Sequence, residues 1–222
     1  MSIAENLACV RERIEQACRR AGRSTGEVTL VGVTKGHPAE AIEEACAAGL
    51  RDVGENRVQE AQAKIEALAS RGVRPRWHLI GHLQTNKAKT ARNLFAIIHS
   101  VDSLRLAQAL SRQAEEPVSI LLEVNVAQEA SKFGFTPDEL PQVLSDIAAL
   151  HHLEVRGLMT VAPMADEPER VRPVFRRLRE LRDELALAEL SMGMTDDFEV
   201  AIEEGATMVR VGRAIFGPRP EA

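Results

Sequence analysis

The chain has no tyrosine, a single tryptophan and only 3% aromatic residues, which argues against the stacking platforms that hold single-stranded nucleic acid. Nor is there an excess of positive charge. Lysine and arginine total 28 against 33 acids, a net charge of -5, which gives no broad field for a phosphodiester backbone. Cysteines number three, Cys9, Cys18 and Cys46, an odd count without Cys-x-x-Cys spacing, which excludes a disulfide framework and a zinc knuckle. No long apolar run occurs, and Glu5 interrupts the first ten residues, so the sequence reads as neither secretory nor membrane-spanning. A cytoplasmic location is the expectation.

Several catalytic signatures are also missing. Without Gly-x-Gly-x-x-Gly or Gly-Lys-[Ser/Thr], neither a dinucleotide fold nor a P-loop is supported. Ser191 lies in no Gly-x-Ser-x-Gly elbow. His78 and His82 lack the helical context and glutamate of a His-Glu-x-x-His metal site, and read as core or rim histidines. No metal site is expected.

What the sequence has is alternation. With 45% apolar residues, a sizeable core is available. Leu7, Val10, Ile14 and Cys18 recur at steps of three or four and predict an amphipathic first helix, ended by Gly22. Short β-branched runs then alternate with helical stripes. Strands are predicted at Val28 to Lys35, Asp52 to Glu55, Arg76 to Gly81, Ala96 to Val101, Val118 to Val126, Glu154 to Val161, Leu190 to Met194 and Met208 to Phe216. Pro38 opens a helix to about Ala48, and Thr136-Pro-Asp-Glu139 reads as a capping box for a helix reaching Leu150. The stripe Val171, Phe175, Leu178, Leu181, Leu185 marks another. About eight strands in 222 residues fit the α/β class as a single (β/α)8 TIM barrel, residues 1–222, with an extra N-terminal helix. An open doubly wound sheet is the competing architecture, since alternation alone does not close a sheet.

In a barrel the chemistry lies at the C-terminal ends of the strands. Lys35 ends the row Thr29, Val31, Val33, where desolvation would depress its pKa and free an amine for Schiff-base chemistry. On position alone, a lysine snorkelling to solvent is the commoner case. Arg210, between Val209 and Val211, needs an acceptor, either a ligand or Glu203 or Glu204. The loops Ser191-Met-Gly-Met-Thr195 and Val211-Gly-Arg213 follow the seventh and eighth strands, where barrels often bind phosphate, although Asp196 and Asp197 oppose an anion unless their carboxylates point away.

Taken together, Val31-Gly-Val-Thr-Lys35, Gly54-Glu-Asn-Arg-Val-Gln-Glu60, Trp77-His-Leu-Ile-Gly-His-Leu-Gln-Thr-Asn-Lys87, Leu190-Ser-Met-Gly-Met-Thr195 and Val209-Arg-Val-Gly-Arg-Ala-Ile-Phe-Gly217 resemble, in order and over nearly the whole chain, the pyridoxal phosphate homeostasis protein family. The resemblance implies a barrel like the N-terminal domain of alanine racemase that holds pyridoxal 5'-phosphate (PLP) as an aldimine of Lys35. It places Arg210 against the pyridine nitrogen, and Thr195, Gly212 and the Arg213 amide on the phosphate, with Ser191 adjacent. Asn56 and Met159 line the pocket by the same analogy, and Lys132 matches a lysine implicated in PLP handling. Position 213 is often threonine in the family, so Arg213 implies a locally rebuilt phosphate site. Thr195 replaces the usual serine and keeps the hydroxyl.

The resemblance further implies a monomeric PLP-binding regulator or carrier in vitamin B6 homeostasis, with PLP-dependent apo-enzymes as partners, no nucleic acid and no membrane. Chemistry agrees with a non-catalytic role. An arginine donor leaves the pyridine nitrogen unprotonated and the electron sink weak. A racemase also needs a second acid/base on the other cofactor face; alanine racemase uses a tyrosine from a C-terminal domain, whereas this chain has no tyrosine, and such a domain after Phe216 is not expected. The alternatives are a PLP-dependent amino-acid racemase and a Schiff-base aldolase using Lys35 without cofactor.

Overall fold

Because short strand-like runs, several of them β-branched, are separated by stripes of helical period, the chain alternates strand and helix throughout. A computed structural model describes residues 2–112, 114–129 and 132–218. The strands are β1 (Thr29–Val33), β2 (Asp52–Glu55), β3 (Arg76–Leu79), β4 (Ile97–Val101), β5 (Val118–Glu123), β6 (Leu153–Met159), β7 (Glu189–Ser191) and β8 (Met208–Val211). They are parallel and pair in sequence order, and β8 pairs with β1, with Arg210 opposite Val31. That closure excludes the doubly wound sheet and makes the fold a TIM barrel.

The helices are α1 (Ile3–Arg20), α2 (Ala39–Ala47), α3 (Val58–Ala69), α4 (Ala88–Leu94), α5 (Leu104–Ser111), α6 (Leu140–Ala148), α7 (Arg172–Glu184), α8 (Phe198–Glu203) and α9 (Arg213–Phe216). The extra helix α1 starts at a capping box in which Glu5 N donates to Ser2 Oγ and Ser2 N to Glu5 Oε2. Its predicted stripe, Leu7, Val10, Ile14 and Cys18, is buried, and each large aliphatic side chain so covered contributes about 1.5–3 kcal/mol. The helix lies against α8 and α9, where Arg13 forks onto Glu199 at 2.9 and 3.1 Å.

The outer strand faces and the helices share one core. Inside the barrel the period of two instead groups Val31, Ile97, Leu121, Met159 and Met208. Several element ends differ from the sequence expectation. The eighth strand stops at Val211 rather than Phe216, because the backbone leaves the strand at Gly212 and Arg213–Phe216 coil into α9. The seventh stops at Ser191, before Gly193 turns the chain at φ +89°. The first ends at Val33, so Lys35 sits in the turn beyond it rather than on the strand. The Thr136–Glu139 capping box is present but opens a 3-10 turn that leads into α6.

Among the described residues, no helix is long and apolar enough to cross a membrane.

Candidate functional site

A cavity of about 490 Å³ opens at the C-terminal mouth of the barrel. Its lining comes from the loops after β1, β2, β3, β6, β7 and β8, among them Lys35, Asn56, Val161, Thr195, Arg210 and Gly212. A larger cavity, about 560 Å³, lies at the opposite mouth beside Arg51, Asp52, Arg74 and Arg76. The smaller one is the better candidate, because barrel chemistry belongs to the C-terminal face and only this cavity holds an unengaged amine beside a buried cation.

Lys35 is half-buried and, among the described residues, makes no hydrogen bond or ion pair. Its backbone is held on both sides. The Gly36 amide donates to Glu60 Oε1 at 2.7 Å, and the Thr34 hydroxyl donates to Glu55 Oε1. Gly36 adopts φ +77°, a left-handed conformation that favours glycine. The lysine thus stands on a fixed turn with a free end.

Arg210 is 4% exposed and faces the barrel interior from β8. The sequence left it between a ligand and Glu203 or Glu204; the structure removes the second option. Glu203 and Glu204 are taken by Arg20, Arg172, Arg176 and Arg179. Among the described residues no carboxylate lies within ion-pair distance of Arg210, whose guanidinium donates to Ser191 Oγ at 2.6 Å and to the Thr160 carbonyl at 2.8 Å. Burial lowers its pKa to about 10, so it stays charged at neutral pH. A buried cation with two neutral acceptors retains donors for a further partner.

Thr195 is half-buried in the same lining. Both neighbouring aspartates are engaged, Asp197 within its own loop and Asp196 with Arg213 from the loop after β8. Asp197 Oδ1 accepts from the Met194 amide at 2.6 Å, and Asp196 meets Arg213 at 2.6 Å. Arg213 therefore brings its charge to the loop already paired. Gly212 sits close under β1, where an added Cβ would lie 3.2 Å from the Val33 carbonyl oxygen. An anion can be held here by the Thr195 hydroxyl and the first-turn amides after Gly212, which lack intrahelical acceptors.

The remaining predicted residues are placed as follows. Asn56 lines the cavity. Ser191 is fully buried beneath it, between Arg210 and His99. Met159 belongs to the apolar group inside the barrel rather than to the lining. Lys132 pairs with Glu129 at 2.6 Å and donates to the carbonyl of Val161, a lining residue. His82 is a rim histidine, bonded to Asp102 at 2.8 Å and stacked on Phe133, whereas His78 is fully buried.

His99, Thr160, Lys64 and Asp52 carry polar roles that the sequence reading did not single out. A signal existed for His99. It occupies the inward register of β4 two residues after Ile97, a polar group in an apolar strand, as Arg210 is in β8.

Comparison with known proteins shows the family. Residues 6–220 match the family model for the alanine racemase N-terminal domain. The pyridoxal phosphate homeostasis protein of Aquifex aeolicus is 46% identical over 228 residues, 99% of each chain. This chain belongs to the pyridoxal phosphate homeostasis protein family. PipY of Synechococcus elongatus, solved with PLP bound, superposes with a TM-score of 0.85 at 38% identity, covering 97% of this chain and all of that one. Alanine racemase of Corynebacterium glutamicum, at 22% identity and a TM-score of 0.71, shares the fold; the match spans 98% of this chain and 60% of the racemase. Family membership accounts for the run of motifs from Val31 to Gly217.

Proposed function

We propose that this protein binds PLP at the C-terminal mouth of its barrel and serves PLP homeostasis as a holder of the cofactor without robust catalysis of its own. The observation that carries this reading is the presence, in one cavity, of the Lys35 amine and the buried Arg210 guanidinium, neither of which makes an ion pair among the described residues. A family whose members are named for PLP homeostasis and the PLP-bound relative PipY support it.

The roles follow from chemistry. Lys35 supplies the amine for attachment through the cofactor's aldehyde, held in place by its clamped turn. Arg210 donates to the pyridine nitrogen and, being a cation, keeps a proton off it. Thr195, Gly212 and the Arg213 amide receive the phosphate, while Asn56 borders the ring. PLP supplies an electron sink when bound, and its strength depends on a protonated nitrogen. With Arg210 as donor that sink is weak, so the residues favour binding over turnover.

Residues 1–222 act as one PLP-binding unit in this reading, monomeric, with apo-enzymes that need PLP as recipients. The test is reduction of the PLP-treated protein with borohydride, followed by peptide mass spectrometry. A pyridoxyl adduct on Lys35 is expected, and its loss in Lys35→Ala. A protein that takes up no PLP would sink the proposal, and rapid racemisation of an amino acid would replace the holder with the racemase alternative.

A further inference from the structure

Behind Arg210, a row of polar side chains crosses the barrel interior. Arg210 donates to Ser191 Oγ at 2.6 Å; Ser191 Oγ lies 2.8 Å from His99 Nδ1; His99 Nε2 lies 2.9 Å from His78 Nδ1; and His78 Nε2 lies 2.9 Å from Asp52 Oδ1. Arg76 closes the far end by donating to the same Asp52 oxygen. His78, His99 and Ser191 are fully buried, and Asp52 nearly so. Groups this deep are held to their hydrogen bonds, because no water replaces a lost partner.

The two ends fix the direction of the whole row. A guanidinium only donates. At the other end the hydrogen bonds from His78 and Arg76 outweigh burial and hold the Asp52 carboxyl below its usual range, so it only accepts. Asp52 then requires hydrogen on His78 Nε2. With one hydrogen per ring, His78 Nδ1 accepts from His99 Nε2, His99 Nδ1 accepts from the Ser191 hydroxyl, and Ser191 Oγ accepts from Arg210. Every hydrogen has an acceptor. The reversed order would put hydrogen on His99 Nδ1 and leave the Ser191 hydroxyl hydrogen without an acceptor among these groups.

We propose that Asp52, His78 and His99 are positioning residues for Arg210: a one-directional hydrogen-bond row, with each imidazole carrying hydrogen on Nε2 alone, that fixes how the guanidinium presents its remaining donors to the cofactor. This role rests on the PLP-binding reading above. Without the row, Ser191 would be free to rotate and Arg210 would keep only the Thr160 carbonyl as a fixed acceptor. The row is a tautomer lock, and its distal anchor lies at the opposite end of the barrel.

Two measurements test it. In histidine-15N-labelled protein without cofactor at pH 7, two-bond 15N–1H spectra should show His78 and His99, identified by their loss in single variants, each with a protonated Nε2 and a bare Nδ1. Hydrogen on Nδ1 of either ring overturns the direction, whether or not PLP binds. In PLP-loaded protein, His99→Leu should weaken cofactor affinity by about tenfold, or roughly 1.4 kcal/mol, and shift the visible absorption band. His99→Asn, which keeps an acceptor near the Nδ1 position, should recover most of the affinity.

Ser191→Ala removes the same link with a smaller change and reports if His99→Leu fails to fold. Affinity and band position equal to the parent in a folded His99→Leu or Ser191→Ala protein overturn the positioning role. A parent protein that takes up no PLP overturns the binding reading and the role built on it, and is recognised by its normal tautomer pattern beside an empty visible spectrum.

Discussion

Lys64, on α3, donates to the carbonyl oxygen of Thr34 at 2.7 Å, the peptide oxygen immediately before Lys35. The same ammonium donates to Glu55 Oε1 and to Glu60 Oε1, and Glu60 in turn accepts from Gly36, the amide immediately after Lys35. All three hydrogens of one buried ammonium are spent, and both peptide groups flanking Lys35 are tied to the cluster. The sequence motif Gly54 to Glu60 thus works partly by holding the turn that carries Lys35.

Lys64→Met should destabilise the fold by about 3–5 kcal/mol, because the fully buried Glu55 would lose the cation that stabilises its carboxylate. Among the described residues Glu55 Oε2 already lacks a hydrogen-bond partner, and burial raises the carboxyl's pKa. Urea denaturation at pH 7 measures the loss. Adding Glu55→Gln to Lys64→Met should recover much of it, whereas a loss under about 1 kcal/mol in the single variant would show that the pair carries no buried charge.

Arg213 and Asp196 give a prediction of the opposite kind. Their side chains are 66% and 75% exposed, so the ion pair contributes under about 1 kcal/mol and Asp196→Asn should leave the melting curve almost unchanged. Its effect belongs to the ligand. Freeing the guanidinium and removing a carboxylate from the cavity lining should tighten PLP binding by about two- to tenfold, while pyridoxal, which lacks the phosphate, binds as before. Equal changes for the two ligands would place the phosphate elsewhere.

Which features the sequence revealed depends on how local their cause is. Closure of the barrel was favoured by the strand count and decided by the β8–β1 pairing. The alternation and the count of about eight strands were legible, and so were Lys35 and Arg210, because each of the two is a charge beside apolar strand residues. The ends of β7 and β8 were not, since apolar side chains continue past Ser191 and Val211 and only the backbone at Gly193 and Gly212 stops the strands. The partners of Arg210 were hidden for a different reason. Thr160 follows β6, Ser191 is on β7 next to β8, and His99, which bonds Ser191, is on β4, so strand pairing and the shared barrel interior bring them together where sequence adjacency does not. Asp196 and Asp197 looked hostile to an anion, and their engagement, by Arg213 after β8 and by the Met194 amide, could not be read from adjacency.

Gly193 and Gly72 separate two effects that glycine combines. Both adopt positive φ, +89° and +77°, but a Cβ at Gly72 meets nothing within 4 Å, whereas one at Gly193 would lie 2.5 Å from Ala201 Cβ and 2.9 Å from Phe198 Cα. Gly72→Ala should therefore cost only the backbone strain, about 1 kcal/mol. Gly193→Ala should cost at least about twice that, because the loop must also move off α8. It should weaken PLP binding too, since Met194 and Thr195 follow directly. Equal melting temperatures for the two variants would contradict this ordering.

Glu123 ends β5 near Arg210, and burial, followed by the charge of Asp102, raises its pKa to about 7. For a carboxyl raised above its ordinary value, the favourable contribution is complete below the unfolded pKa, about 4.5, and is lost as pH rises through 7. Ionised Glu123 is then a liability on the order of 3 kcal/mol at pH 8, since each tenfold change in proton affinity between the unfolded and folded chain is worth about 1.4 kcal/mol. Glu123→Gln keeps the shape without the charge. It should match the parent protein at pH 4 and exceed it progressively between pH 5 and 8, as measured by urea unfolding at each pH. A stability difference independent of pH would mean that the carboxyl titrates at its ordinary value and that Asp102 and the barrel wall leave it solvated.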